Sequence, residues 1–254
     1  MKGVILAAGI SSRLRPLTDT VPKCLLSIGG ETILGRTLNN LVACGIRDVV
    51  IVTGYLEDQV RGYVFGHYPG LSVKFITNQV YASTNNIYSL WLVKQDVLER
   101  DMLLLDSDII FDDGIIRALR RTGHENCLAV NTKIRLGDEE IKVAVDADNR
   151  IRAISKEVPP SQAIGESIGI EMFGAPMLHS LFAVIDRKIL HDGAVNQFYE
   201  AAFQEVIDQG GEIYAVDVGM YQAIEIDTAE DIVMAETKVL PHLPLSTTAK
   251  DRQK

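Results

Sequence analysis

The chain reads as an α/β protein: an open, mixed but mostly parallel sheet flanked by helices, with a small antiparallel extension. Three observations predict this. An uninterrupted apolar run at residues 3–8 closes on Gly9, the pattern of a strand buried on both faces of a parallel sheet. Strand-like and helix-like stretches then alternate as far as Asp108. From Cys127 to Phe173 the texture changes to short alternating runs, of which KVAVDADNRIRAISKE is the clearest.

Each element follows from its residues. At 33–44, Leu34, Leu38, Leu41 and Val42 recur at helical spacing and Gly45 supplies a stop. DVVIVT at 48–53 is a second buried strand, and strand, helix, strand in this order imply a right-handed parallel crossover. The unit repeats with a helix at 56–65, a strand at 73–77, a helix at 87–97, and an apolar strand at 102–105 that ends in Asp106, Ser107 and Asp108. This is an open, Rossmann-like arrangement. In the extension, residues 146–149 form a turn between two strands. Helical patterns return at 176–189 and 197–209, the latter stopped by Gly210 and Gly211. A last strand at 213–218 and a closing segment from Asp227 follow.

The 254 residues carry 25 Lys and Arg against 34 Asp and Glu, a formal charge of −9, and 47% are hydrophobic. That content supports a packed core and excludes a disordered chain. No linker or repeat interrupts residues 1–240, which are expected to form one domain, with a polar, loosely held tail at 241–254. The basic residues are scattered, which argues against a nucleic-acid partner or an anionic membrane surface. An anionic ligand must therefore be held locally. Cys24, Cys44 and Cys127 show no CxxC spacing, so neither a disulfide framework nor a thiolate zinc site is expected, and a reducing cytoplasm fits. The run at 4–8 is far below the roughly 20 residues that span a bilayer, so no membrane insertion is expected.

The most informative stretch is LAAGISSRLRPLTDTVPKCLL, residues 6–26, at the carboxyl end of the first strand, where open α/β sheets place ligands. Gly9 lets backbone approach a phosphate, and Ser11 and Ser12 add hydroxyls beside exposed N–H groups. Arg13 offers a planar fork of donors and Lys23 a mobile point charge on a chain stiffened by Pro22. The loop is neither GxGxxG nor GxxxxGK[ST], which weakens a dehydrogenase or a P-loop NTPase. Asp106 and Asp108 end one strand, two residues apart, so both point to one face and suit a hard cation such as Mg²⁺. Asp227, in EIDTAED, stands where a helix N-cap is the commoner role.

Residues 6–26 resemble the signature of the sugar-phosphate nucleotidyltransferase family, also called nucleoside-diphosphate-sugar pyrophosphorylases, and the likeness extends to about residue 235 through LLLDSDI and EIDTAEDI. YASTNNIYSL, Lys156–Glu157 and GESIGI resemble the small bacterial cytidylyltransferases acting on phosphocholine, inositol phosphate and aminoethylphosphonate. The resemblance implies transfer of CMP from CTP to a small anionic phosphate or phosphonate acceptor, with release of pyrophosphate. It implies catalytic roles for Arg13, Lys23 and Asp108, a Mg²⁺ pair of Asp108 and Asp227, and a supporting role for Asp106. Leu6, Ala8, Gly9, Ser11, Ser12 and Asp106 join Arg13 and Lys23 on the nucleotide, and Gln79, Tyr81, Ser83, Asn85 and Asn86 read the base, with a helix-cap role open for Asn86. Thr53, Gly54 and Tyr55 resemble an element lining the base or acceptor side.

Lys156, Glu166 and Tyr199 are the acceptor candidates, although Lys156 and Glu157 equally form a solvated pair. A quaternary ammonium acceptor needs a box of aromatic rings, and only Phe173, Phe198, Tyr199 and Tyr221 offer themselves. The acceptor is already ionised near neutral pH, so no general base is needed, consistent with five histidines that lie outside these motifs. Glu225 and Asp231 read as solvated or capping acids, Trp91 as core and Cys24 as a packed thiol. Two alternatives stay open: UTP or dTTP with a sugar 1-phosphate, and a non-catalytic nucleotide or sugar sensor. Self-association into a homo-oligomer is likewise open.

Overall fold

In the computed structural model, which describes residues 1–243, β1 (Lys2–Ala7) leads into a loop of three 3-10 turns and a short hairpin, β2 (Ser27–Ile28) and β3 (Glu31–Thr32). Helix α1 (Ile33–Ala43) then returns the chain to β4 (Asp48–Thr53). The Thr32 hydroxyl caps α1 by accepting from the Gly35 N–H at 2.9 Å, and Gly45 ends it with φ of +77°. The unit repeats through α2 (Glu57–His67), β5 (Ser72–Thr77), α3 (Asn86–Leu92), α4 (Lys94–Val97) and β6 (Met102–Asp106). These strands pair in parallel in the order β6-β1-β4-β5. Ala7, Thr53, Thr77 and Asp106 therefore end on one edge.

Two elements escaped the sequence patterns, β7 (Ile109–Phe111) and α5 (Gly114–Arg121). Beyond them, β8 (Cys127–Asn131), β9 (Lys142–Val145), β10 (Ile151–Ser155) and β11 (Gly165–Phe173) build the antiparallel extension, with β11 antiparallel to β6. Helices α6 (Ala175–Leu190) and α7 (Glu200–Asp208) precede β12 (Tyr214–Asp217), which pairs in parallel with β8. The chain closes with β13 (Ala223–Glu225), antiparallel to β7, and α8 (Ala229–Met234). The architecture is thus the mixed, mostly parallel α/β sheet that the sequence predicts. Helix α7 begins at Glu200 rather than at 197, because the preceding loop is tied to α3 instead: Asn85 N–H donates to the Val195 carbonyl and Tyr199 N–H to Asn86 Oδ1.

Alternation along the strands sends two apolar sets to opposite faces. Val4, Leu6, Val50, Val52, Met102 and Leu104 pack beneath α3, α6 and α7. Ile5, Val49, Ile51, Leu103 and Leu105 pack with α1, α2 and α5. Each fully buried aliphatic side chain contributes about 1.5–3 kcal/mol. A third, smaller cluster joins the two ends of the chain: Leu14, Leu26 and Ile28 from the first loop meet Ile226, Ala235 and Val239 from the closing segment. Residues 244–254 lie outside the described residues. The expected tail, 241–254, is therefore described only to Leu243, which packs against this third cluster.

Candidate active site

The third cluster and the β7–β13 pair set the geometry of the site. Glu225 lies opposite Ile109, and the Ile226 N–H donates to the Asp108 carbonyl at 2.9 Å. This brings Asp227 beside Asp108. From the other side, the 3-10 turn Lys23–Leu25 presents Lys23, whose Nζ donates to Asp108 Oδ2 at 2.8 Å and to Asp227 Oδ1 at 2.6 Å. Arg13 donates to the other oxygen of Asp227, at 2.5 Å. Burial opposes the charge on Lys23, but the two carboxylates outweigh it and hold the ammonium above its ordinary range.

A cleft of about 300 Å³ opens above this cluster, at the carboxyl edge of β1 and β6. Leu6, Ala8, Gly9, Ser11, Arg13 and Lys23 line it. Nothing stands within 4 Å of where a Gly9 Cβ would project, so the turn leaves open space. Ser11 holds φ of +53°, a left-handed conformation that leaves its carbonyl to accept from the Thr18 hydroxyl at 2.9 Å. Ser12 is exposed and lies outside the lining.

Both strand-end acids line the cleft, as their spacing implied, but they take different partners. Strand β6 stops at Asp106, and Ser107 and Asp108 form a turn. Asp106 accepts from the Tyr199 hydroxyl at 2.9 Å, while Asp108 faces Lys23. Asp108 Oδ1 is buried with no hydrogen-bond partner. Oxygens of Asp108, Glu225 and Asp227 lie within 4.8 Å of one another, a hard-oxygen set suited to a divalent cation. Glu225 is exposed, as a solvated acid would be, and also belongs to this set. Desolvation at the cleft, then the charges of Asp108 and Asp227, push its carboxyl up to about 8. Its alternation with Asp227 in EIDTAED was the available signal. Asp231 caps α8 in a reciprocal box with Thr228, so the cap is Thr228 and Asp227 is left free for the cleft.

On the base side, Tyr81, Asn85 and Asn86 line the cleft, whereas Gln79 and Ser83 are exposed outside it. Asn85, not Asn86, caps α3, accepting from the Asn86 N–H at 2.7 Å. Asn78, Thr84 and Ser89 also line the cleft and were missed. Asn78 is buried because its side chain bridges Thr84 and Ser89. Tyr55 lies outside the lining and buttresses the phosphate loop instead. Its N–H donates to the Ala8 carbonyl and its hydroxyl lies 2.9 Å from the carbonyls of Thr18 and Asp19.

On the acceptor side, Lys156 pairs with Glu139 at 2.9 Å, not with Glu157, and its ammonium lies 5.4 Å from the Phe198 ring, which lines the cleft. Glu166 sits by Glu140 and Lys142, outside the lining, and burial pushes it up to about 7. Tyr199 is fully buried and offers its hydroxyl inward to Asp106, so it presents no ring face to an acceptor. Phe173 is fully buried too, and Tyr221 packs where a Gly114 Cβ would be. Among the described residues, Phe198 is thus the one member of the expected aromatic box that lines the cleft. The three thiols are free and buried, and burial pushes Cys24 up to about 12, which removes it as a nucleophile. All five histidines are exposed and Trp91 donates to Asp186.

Residues 3–158 match the MobA-like NTP transferase domain. The chain belongs to that family. It is 35% identical over 240 residues to a 2-aminoethylphosphonate cytidylyltransferase of Lancefieldella rimae, covering 94% of this chain and 91% of the relative. It is 27% identical over 255 residues to the CMP-5'-(3-aminopropyl)phosphonate synthase of Streptomyces rubellomurinus, covering 95% of this chain but only 39% of the length of that protein. The solved CTP:phosphocholine cytidylyltransferase of Streptococcus pneumoniae superposes with a TM-score of 0.74 at 24% identity, covering 92% of this chain and 97% of that one, and shares the fold. Among the described residues, no helix is long and apolar enough to cross a membrane.

Proposed function

We propose that this transferase moves CMP from CTP to a small phosphate or phosphonate acceptor, releasing pyrophosphate. The observation that carries this is the convergence of Lys23 and Arg13 on Asp108 and Asp227 beside the open Gly9 turn. The names of the relatives above favour CTP and an ionised phosphonate or phosphate ester.

In this account an acceptor oxygen, already anionic near neutral pH, attacks the α-phosphorus, and the bond to pyrophosphate breaks. Lys23, released from its carboxylate pair, neutralises charge at the α-phosphate, and Arg13 holds the departing pyrophosphate. Asp108, Asp227 and Glu225 would hold Mg²⁺, which when bound supplies positive charge to the triphosphate. Tyr81, Asn85 and Asn86 orient the base, and Lys156 meets the acceptor's anionic end from the cleft rim. Residues 1–240 act as the transferase unit, and three buried free thiols fit a reducing cytoplasm.

The test is pyrophosphate release with each of four nucleoside triphosphates crossed with phosphocholine, phosphoethanolamine, 2-aminoethylphosphonate, inositol phosphate and hexose 1-phosphates. CTP with a phosphonate or phosphoester should turn over, and Lys23→Ala or Asp108→Ala should lower kcat by at least about 100-fold in a folded protein. Turnover confined to UTP or dTTP with hexose phosphates would contradict the substrate assignment, and unchanged rates in both variants would contradict the site.

A further inference from the structure

Behind the cleft lies a buried acidic group that the transfer chemistry does not use. Glu171 is fully buried in β11 and Glu200 is 6% exposed at the start of α7, and in each Oε2 has no hydrogen-bond partner. Tyr199 links Glu171 to Asp106, which lines the cleft. Its single hydroxyl proton goes to Asp106, with Glu171 Oε1 3.4 Å away. One phenolic proton thus faces two carboxylates, and burial, followed by the charges of Asp106 and Glu200, holds Glu171 well above the usual carboxylate range. Lys156, at the cleft rim, is the cation whose charge reaches Glu200.

The backbone is built to assemble this group. Strand β11 slips register against β8 between Ser167 and Glu171, and within the slip Gly169 takes φ of +70°. A Cβ there would stand 2.7 Å from Asp106 Oδ2, so only glycine lets β11 pass Asp106. Bulges of this kind re-aim side chains beside functional sites. Asp106 and Phe198 both line the cleft.

We propose that Asp106 is the contact for a primary ammonium carried by the acceptor, and that Glu171 and Glu200 behind it are positioning residues that set acceptor specificity. This rests on the transfer reading above. A primary ammonium brings three N–H donors and one positive charge to a group of carboxylates short of both. A polyol brings no charge. A quaternary ammonium brings no donor and needs several rings, of which the cleft supplies Phe198 and, on the base side, Tyr81.

The experiment compares 2-aminoethylphosphonate, its N-trimethyl analogue and 2-hydroxyethylphosphonate as acceptors with CTP, using the wild type, Glu171→Gln and Glu200→Gln. Acceptor binding is followed in parallel by calorimetry without nucleotide, and folding by Tm. The primary amine should exceed the hydroxyl and trimethyl analogues by at least about tenfold in kcat/KM. Each variant should raise KM for the amine about tenfold while leaving KM for the hydroxyl analogue and kcat unchanged. Equal use of amine and hydroxyl, preference for the trimethyl analogue, or equal losses on all acceptors would overturn the assignment and identify the group as neutral carboxyls sharing protons. If no acceptor turns over, the transfer reading fails and calorimetry alone decides: tighter binding of the amine, lost in Glu171→Gln, supports the subsite, and equal binding overturns it. Should Glu171→Gln not fold, Glu200→Gln and the wild-type series decide in the same way.

Discussion

At the scale of single residues, the charges of this protein are arranged in opposing ways on the two sides of Asp106. Toward the first loop, Asp108 and Asp227 are neutralised by Lys23 and Arg13. Toward α7, burial pushes Glu200 up to about 7. A carboxyl raised in the folded state stabilises the fold fully below its unfolded value, about 4.3, and that contribution is lost as pH rises through about 7. The shift corresponds to a few kcal/mol at most, at roughly 1.4 kcal/mol per pH unit. Glu200→Gln, which stays neutral, should therefore match the wild-type Tm at pH 5 and exceed it by several degrees at pH 8. An equal Tm difference at both pH values would show that Glu200 does not titrate in this window. Sequence reasoning treated Glu200 and Glu171 as unremarkable because their chemistry comes from burial and from neighbours about 30 and 65 or more positions away, not from local spacing.

At the scale of elements, the first loop keeps its shape through the turn after β4. Gly54 has no room for a side chain: a Cβ would lie 2.9 Å from the Ala8 carbonyl oxygen and from Tyr81. Gly54→Ala should therefore push the phosphate loop and the base-side tyrosine apart, costing about 1–3 kcal/mol of stability and raising the KM for CTP more than the KM for the acceptor. Urea unfolding and steady-state kinetics check this, and an unchanged KM for CTP would show the contact to be slack. The loop itself was legible because its chemistry is contiguous, from Gly9 to Lys23, and closes a strand whose apolar run is unambiguous. The role of Tyr55 was not, since a tyrosine that buttresses a loop and one that lines a pocket have the same sequence context. Asp106 and Asp108 reach one cleft although β6 ends at Asp106, but the partner of Asp106, Tyr199, lies 93 positions away and carries no local signal.

At the scale of the whole molecule, the proposed catalysis depends on joining the first loop to the closing segment at 223–239. Leu26 and Ile28 meet Ile226 and Val239, and β7 pairs with β13, so Lys23 reaches Asp227 across 204 residues. The α/β order and the core strands followed from apolar runs and periodicity. The pairing of β7 with β13 did not, since two three-residue strands carry no periodic signal, and with it went the place of Glu225. The central claim is that these distant groups act on one triphosphate and its cation. A crystal structure with CTP and Mg²⁺ tests it most directly: Asp108 and Asp227 should each stand about 2.0–2.1 Å from the ion, with Lys23 and Arg13 moved onto the triphosphate. Nucleotide bound in the cleft while Lys23 stays paired with Asp108 and Asp227, or an ion held elsewhere, would contradict it.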